Sequence, residues 1–382
     1  NMGASPWRVF RTVTLPLMMP GDFAGAILVF IWAFTDLGTP LMFGLTRVVS
    51  VQIFNRVSDV GTNPMGYVLV CLVLLLTLSL FVVSKRLLGS RRYEMLARGH
   101  TAGGQQRLGG WRAFCAIGAV LVVVGMAVLP HLSVVLHSLA DRWFFTVLPS
   151  EISFDHFVEI FSHPLTASSI RNSLFYSSLS AGLDLVLGVM IAFLLTRRRV
   201  PGAAVLDALA MLPLALPGLV LAFGYVGGFN WPLGWLNPRD NPTVLLVVAY
   251  SVRRLPYIVR AAYAGFQQTS VTLEEASLNL GASWWRTLWK ITLPLVAANL
   301  VAGTVLTFSY AMLEVSDSLI LAMRERFFPI TKVIYSLMGR IEPNAPSVAS
   351  ALGVLGMLLL AASLFVASRV LGKRMGQLFR AG

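Results

Sequence analysis

Charge is scarce in this sequence. Asp, Glu, Lys and Arg together make up 12% of its 382 residues, against about 25% in a soluble globular domain. That excludes an ordinary water-soluble fold, because one core could not hide the apolar residues that replace them. The only cysteines, Cys71 and Cys115, lie far apart in apolar runs. This excludes a CxxC metal or redox motif, and both read as packing residues. No G-x-x-x-x-G-K-[ST] phosphate loop is present, since Gly372-Lys373 lacks the upstream glycine and the following hydroxyl. The chain is therefore not expected to bind ATP itself. H-E-x-x-H, G-x-S-x-G and a paired-carboxylate motif in a soluble stretch are absent as well, so no catalytic class is legible. Acids are fewer than bases, 17 against 30, and five histidines complete the ionisable set apart from tyrosine and cysteine.

What is abundant is apolar. Residues of that kind make up 56% of the chain, and mean hydropathy is +0.74. The expectation is an all-α membrane protein. Eight runs approach the ~20 apolar residues a spanning helix needs: about 20–44, 64–84, 112–136, 170–196, 204–229, 242–262, 294–322 and 346–370. Pro213, Pro217 and Gly218 predict a kink in the fifth. The net charge of +13 could mean nucleic acid. Its placement between apolar runs favours membrane lipid instead. If the chain alternates sides, one side collects 21 of the 30 Lys and Arg, which marks it as cytoplasmic.

The sequence also repeats itself. Residues 1–17, NMGASPWRVFRTVTLPL, return 278 positions later as residues 279–295, NLGASWWRTLWKITLPL, with ten identities in register. Both copies fall on the basic side. Six predicted spans lie between them, and an even number gives two units of parallel topology. The expected division is 1–84 as the last two spans of a first, incomplete unit, 85–111 as a cytoplasmic linker, and 112–382 as a complete six-span unit. Outer loops are expected at 137–169 and at Asn230 to Asn241.

The second copy of the repeat sits in a longer stretch, 270–294. Thr272-x-x-Glu275 has capping-box spacing and predicts the start of a short helix. Gly281 is placed to end it. Ser283 can cap a second helix, as Ser5 followed by Pro6 does in the first copy. Leu293-Pro294 then leads into the next span. Trp284, Trp285 and Trp289 read as interfacial anchors.

The spacing Glu275-Ala276-Ser277, Gly281, Ile291, Leu293-Pro294 resembles the EAA loop of binding-protein-dependent ABC importer permeases, E-A-A, three residues, G, nine residues, I-x-L-P. The one departure is Ser277 for the last alanine. The resemblance implies that this loop docks in a groove of a cytoplasmic ABC ATPase subunit, with Glu275 and Gly281 as key positions. In the first copy Gly3, Leu15 and Pro16 survive, and a Glu is expected six residues before Gly3. Two units imply two ATPase subunits, which would hold ATP and Mg; this chain would carry no cofactor and no catalysis of its own. A periplasmic or lipoprotein solute-binding protein would deliver cargo at the outer face of a bacterial inner membrane. The fused double arrangement and the stretch from Ala33 to Pro40 resemble the ferric-iron importer group. Phosphonate, thiamine and polyamine importers remain alternatives, as does an ion-coupled secondary transporter built from repeats.

Ionisable groups inside spans are costly and mark function by default. Glu314 lies within the 294–322 run, and Asp36 falls on the same position of the first unit. These two acids, and Asp184, are candidate linings of a translocation path; a helix-end acid or an interhelical hydrogen bond is the alternative for each. Arg253 and Arg254 are expected to snorkel at a helix end. His131, His137, His156 and His163 lack metal-ligand spacing and read as loop or interface residues, with no metal site expected.

Overall fold

The computed structural model describes residues 5–89, 109–143, 146–198, 200–229 and 236–378. Gly3, residues 90–108 of the expected linker and residues 230–235 of the second outer loop lie outside these. The described chain is helical, with one small exception: Ala140–Arg142 pairs antiparallel with Glu151–Ile152 in the segment expected to form the first outer loop.

All eight expected spans correspond to helix, but not to eight equal rods. Among the described residues five helical segments are long and apolar enough to cross a membrane: Gly25–Met42, Gly110–Leu139, Pro164–Arg197, Trp284–Met312 and Ala345–Arg369. A sixth is the bent pair Ala203–Leu214 and Gly218–Phe229, which turns by 101° at the predicted proline-glycine kink. Met65–Gly89 has a shorter apolar part, Met65–Leu80. Thr243–Gln268 carries Arg253, Arg254 and Arg260 and yet lies at the centre, packed between Pro164–Arg197 and Leu293–Met312. Close packing there rests on small residues. A β-carbon on Gly188 would fall 2.6 Å from Ile258, and one on Gly303 2.7 Å from the other side of the same side chain. Glycines of this kind let helix backbones approach where lipid offers no hydrophobic drive for association.

The sequence repeat is a structural repeat. Pro6–Val9, a wide turn at Phe10–Thr14 and the helix Leu15–Phe34 recur as Trp284–Thr287, Leu288–Thr292 and Leu293–Met312, each boundary 278 positions on. In each wide turn a backbone N–H reaches five residues back, Leu15 to Phe10 and Leu293 to Leu288. The prolines one residue later, Pro16 and Pro294, supply the reason. Proline lacks an N–H, and its ring collides with the carbonyl four residues earlier in a regular helix; a π-turn widens the ladder there. Both long helices then break, and Gly38–Met42 and Ser316–Leu321 restart at equivalent positions.

The two units share one core. Leu37, Val51, Ile53 and Val70 of the first belong to the same buried cluster as Leu219, Phe223, Ile320 and Leu321 of the second. The equivalent breaks meet, with Gly38 against Val315. Tyr67 packs edge-on to Phe223 at 5.2 Å, and Phe54 edge-on to Tyr335 at 6.3 Å.

Candidate functional site

The 270–294 stretch forms two short helices. The first, Val271–Asn279, is capped by Ser270, whose hydroxyl accepts the Thr272 N–H at 3.3 Å. This corrects the expected capping box: Thr272 is already inside the helix, and Glu275 points to solvent rather than back to a cap. Gly281 ends the helix at φ 85°. Its N–H bonds the Leu278 carbonyl at 2.9 Å, and the Ala282 N–H bonds the Ser277 carbonyl at 3.1 Å, the paired bonds of a Schellman turn. Ser283 then caps Trp284–Thr287 by accepting the Arg286 N–H at 3.4 Å, and Ser5 accepts from Arg8 at the same distance in the first copy.

Of the residues singled out there, Glu275 and Ala276 are exposed on the first short helix. Ser277 turns inward and shares a buried 2.9 Å hydrogen bond with Thr287, which ties the two short helices together. Ile291 and Leu293 are half-buried where the wide turn meets the long helix, and Pro294 follows at that helix's second position. In the first copy Leu15 is exposed and Pro16 half-buried. Trp284 packs edge-on to Phe193 at 5.8 Å, whereas Trp285 and Trp289 are exposed.

A second assembly lies inside the helices. Glu314, 3% exposed, occupies the break after Leu293–Met312 and accepts from both Arg253 and Arg254. Arg253 also stands 3.5 Å from Asp317. The two arginines therefore do not snorkel at a helix end as expected; they lie in the middle of Thr243–Gln268. They turn inward because a buried carboxylate demands compensation. Arg253 passes so close to Gly218, at the 101° bend, that any β-carbon there would collide with its guanidinium. The Glu314 carbonyl, freed by the break, accepts from Thr331 at 2.6 Å and from Ser318, and Tyr250 lies 2.6 Å from Ser318. One ionic hub thus ties together two interrupted helices and the central one.

The other candidate path acids have different surroundings. Asp184 is fully buried and accepts from the Ser251 hydroxyl of the neighbouring helix, and its second carboxylate oxygen has no hydrogen-bond partner among the described residues. Asp36 is half-buried and accepts the Thr39 N–H at 3.1 Å, at the start of Gly38–Met42. Glu314 and Asp36 thus stand at equivalent breaks with unlike partners.

On the short helix Ile330–Met338, Lys332 donates to the Leu319 carbonyl at 2.7 Å among the rings of Phe54, Phe328 and Tyr335, 5.4 to 5.9 Å away. Burial pushes its ammonium down to about 8. Among the histidines, the His163 Nδ1 accepts the Leu165 N–H, His156 reaches the Ala140 carbonyl and His131 the Ala127 carbonyl. Among the described residues no three His, Cys, Asp or Glu come together as metal ligands.

Sequence reasoning missed Arg253 and Arg254 as partners of Glu314, and passed over Asp317. The available signal was an arginine doublet and a second acid within otherwise apolar runs.

The family described as binding-protein-dependent transport system inner membrane component matches residues 1–92 and 184–377, and each matched stretch holds one copy of the repeat. A putative ferric transport system permease protein of Haemophilus influenzae is 27% identical over 327 residues, covering 83% of this chain and 50% of its own. A ferric transport system permease protein of Actinobacillus pleuropneumoniae is 26% identical over 379 residues, covering 96% and 52%. The chain thus spans about half the length of these relatives. A molybdenum transport system permease protein of Escherichia coli is 34% identical over 158 residues, 37% of this chain and 66% of that protein. In fold, the chain is similar to a chain of a bacterial ABC transporter involved in import of the acidic polysaccharide alginate, at TM-score 0.50 and 18% identity over 68% of this chain and 96% of that one. With its repeats, its interrupted membrane-length helices and a family match over most of its length, this chain belongs to the binding-protein-dependent transport system inner membrane components.

Proposed function

We infer that this chain forms membrane-spanning permease units of an ATP-driven importer, and that Val271–Asn279 is the helix that docks on an ABC ATPase subunit. The single observation that carries this reading is the state of that helix. It presents Glu275, Ala276 and Leu278 outward, while Gly281 and the Ser277–Thr287 bond fix its angle to the membrane helices. A rigid, exposed lever of this kind can pass force from a soluble partner to the spans. Glu275 and Gly281 take the docking role, with Ile291, Leu293 and Pro294 joining the lever to its helix. Gly3, Leu15 and Pro16 are their counterparts in the first unit, so two ATPase subunits bind, each carrying its own ATP and Mg.

ATP-driven closure of the ATPase pair pushes both levers, and packed helices switch between two arrangements of a path between the units. Cargo arrives from a solute-binding protein at the outer face. Ferric iron is the leading cargo, supported by the similarity to two ferric permeases over most of the chain. Sulfate and molybdenum permeases are also similar over shorter stretches. Asp36 and Asp184 border the path, whereas Glu314 holds the interrupted helices closed through its two arginines.

The test is purification of the tagged transporter from its native membrane. An ATPase subunit should co-purify, and Glu275→Lys or Gly281→Asp should release it. ATP hydrolysis by the reconstituted complex should rise with the binding protein loaded with ferric iron. A rise with thiamine, a phosphonate, a polyamine or molybdate instead would replace iron as cargo. Uptake that survives both substitutions with no ATPase attached would favour an ion-coupled transporter.

A further inference from the structure

We propose that Arg197 is a positioning residue which locks the docking helix to the end of the Pro164–Arg197 span, so that the two move as one body. The proposal rests on the docking reading above and extends it to residues outside the EAA pattern.

Arg197 is the last residue of Pro164–Arg197. Its Nε donates to Glu274 Oε1 at 3.0 Å. Its Nη2 donates to the Thr269 carbonyl at 3.0 Å and to the Thr269 hydroxyl at 2.9 Å. The hydroxyl can accept because its own proton goes to the Phe266 carbonyl. The guanidinium carbon lies 5.7 Å from the centre of the Phe266 ring. One planar fork therefore holds three chain ends: the end of Pro164–Arg197, the end of Thr243–Gln268 and the first turn of Val271–Asn279.

Three features make this clasp more than a surface ion pair. Both side chains are largely withdrawn from solvent, at 7% and 15% exposure, so screening is weak. Glu274 sits in the first turn of the short helix, where a carboxylate is favoured by the helix dipole. The fork geometry uses several N–H groups of guanidinium at once, which lysine cannot reproduce. Beneath the clasp, Phe193 packs edge-on to both Phe266 and Trp284, at 5.9 and 5.8 Å. The short helix is thus gripped at its first turn by Arg197 and at its last by Ser277 to Thr287. Without Arg197, force on the helix reaches the Pro164–Arg197 span through the linker at residues 269–270 and through the second short helix, where Trp284 packs on Phe193. With it, the push enters directly the span that carries Asp184.

The experiment uses the transporter complex with Cys71 and Cys115 replaced by serine and spin labels on Met190→Cys and Leu280→Cys. Unvaried at the clasp, it should give one narrow distance both without nucleotide and trapped with ADP-vanadate. Arg197→Ala should keep its ATPase and its ATP hydrolysis but split the distance in the trapped state. Arg197→Glu and Glu274→Arg should each do the same, and the double swap should restore one distance. A single narrow trapped distance in Arg197→Ala, or a swap that stays split, would overturn the clasp. If no ATPase co-purifies with the unvaried chain, the docking reading fails. The clasp is then tested by amide exchange on the purified chain, where residues 271–280 should exchange about tenfold faster in Arg197→Ala and recover in the swap. Equal exchange rates there would overturn it.

Discussion

The hydroxyls of Ser277 and Thr287 meet at 2.9 Å, both buried, at the inner angle between the two short helices of the 270–294 loop. The EAA pattern places alanine where Ser277 stands, so here a small polar side chain adds a cross-brace. Ser277→Ala should cost about 1 kcal/mol by leaving Thr287 unpaired. Thr287→Val should cost a similar amount, and the double substitution less than their sum. Melting of the detergent-solubilised protein reads this cycle, and a coupling of zero would remove the brace.

Gly281 holds φ 85°, a conformation that costs an L-residue with a β-carbon about 1–2 kcal/mol. Gly281→Ala should therefore loosen the angle between the two short helices and weaken retention of the ATPase. Gly281→Asn should do less harm, because asparagine enters the left-handed region more readily. Co-purification at rising salt ranks the three proteins, and equal retention would contradict the assignment.

Glu314 and Asp36 occupy equivalent breaks but should answer substitution differently. Glu314→Gln leaves Arg254 buried without a carboxylate and Arg253 with Asp317 alone, a loss of about 3–5 kcal/mol. Asp36→Ala removes one bond to the Thr39 N–H, about 1 kcal/mol for a lost hydrogen bond. Melting temperatures in one detergent compare them directly, and equal losses would mean that the hub is not what closes the second break.

Lys332 makes stability depend on pH in the alkaline range. Burial lowers it from the usual 10.5 to about 8. Between those values the unfolded chain holds more protons than the folded one, so stability should rise as pH climbs from 8 towards 10.5. Lys332→Met should flatten that rise. Melting curves at the two ends of the window, for both proteins, are the check.

The repeat shows how far a sequence can carry a fold. Ten identities at one offset were enough to place equivalent helices, because the same residues in the same order build the same wide turn before Leu15-Pro16 and before Leu293-Pro294. Spans were legible for the same local reason, a run of apolar residues of sufficient length. The capping residue was misplaced: Thr272-x-x-Glu275 satisfies the spacing rule, but Ser270 two residues earlier had equal chemistry and the better position. Burial could not be read in this way. Arg253 and Arg254 have the same local sequence whether they reach for water or for Glu314.

Composition and local pattern alone determined that this chain belongs in a membrane, that it carries two related units, and that a glycine-hinged pair of short helices precedes a long one. Each of these follows from forces acting within a few turns of chain. Tertiary structure decided which charges meet. Arg253 joins Glu314 across 61 residues and Arg197 joins Glu274 across 77. A buried charge is stabilised where packing brings an opposite one beside it, and only the packed helices determine which one that is.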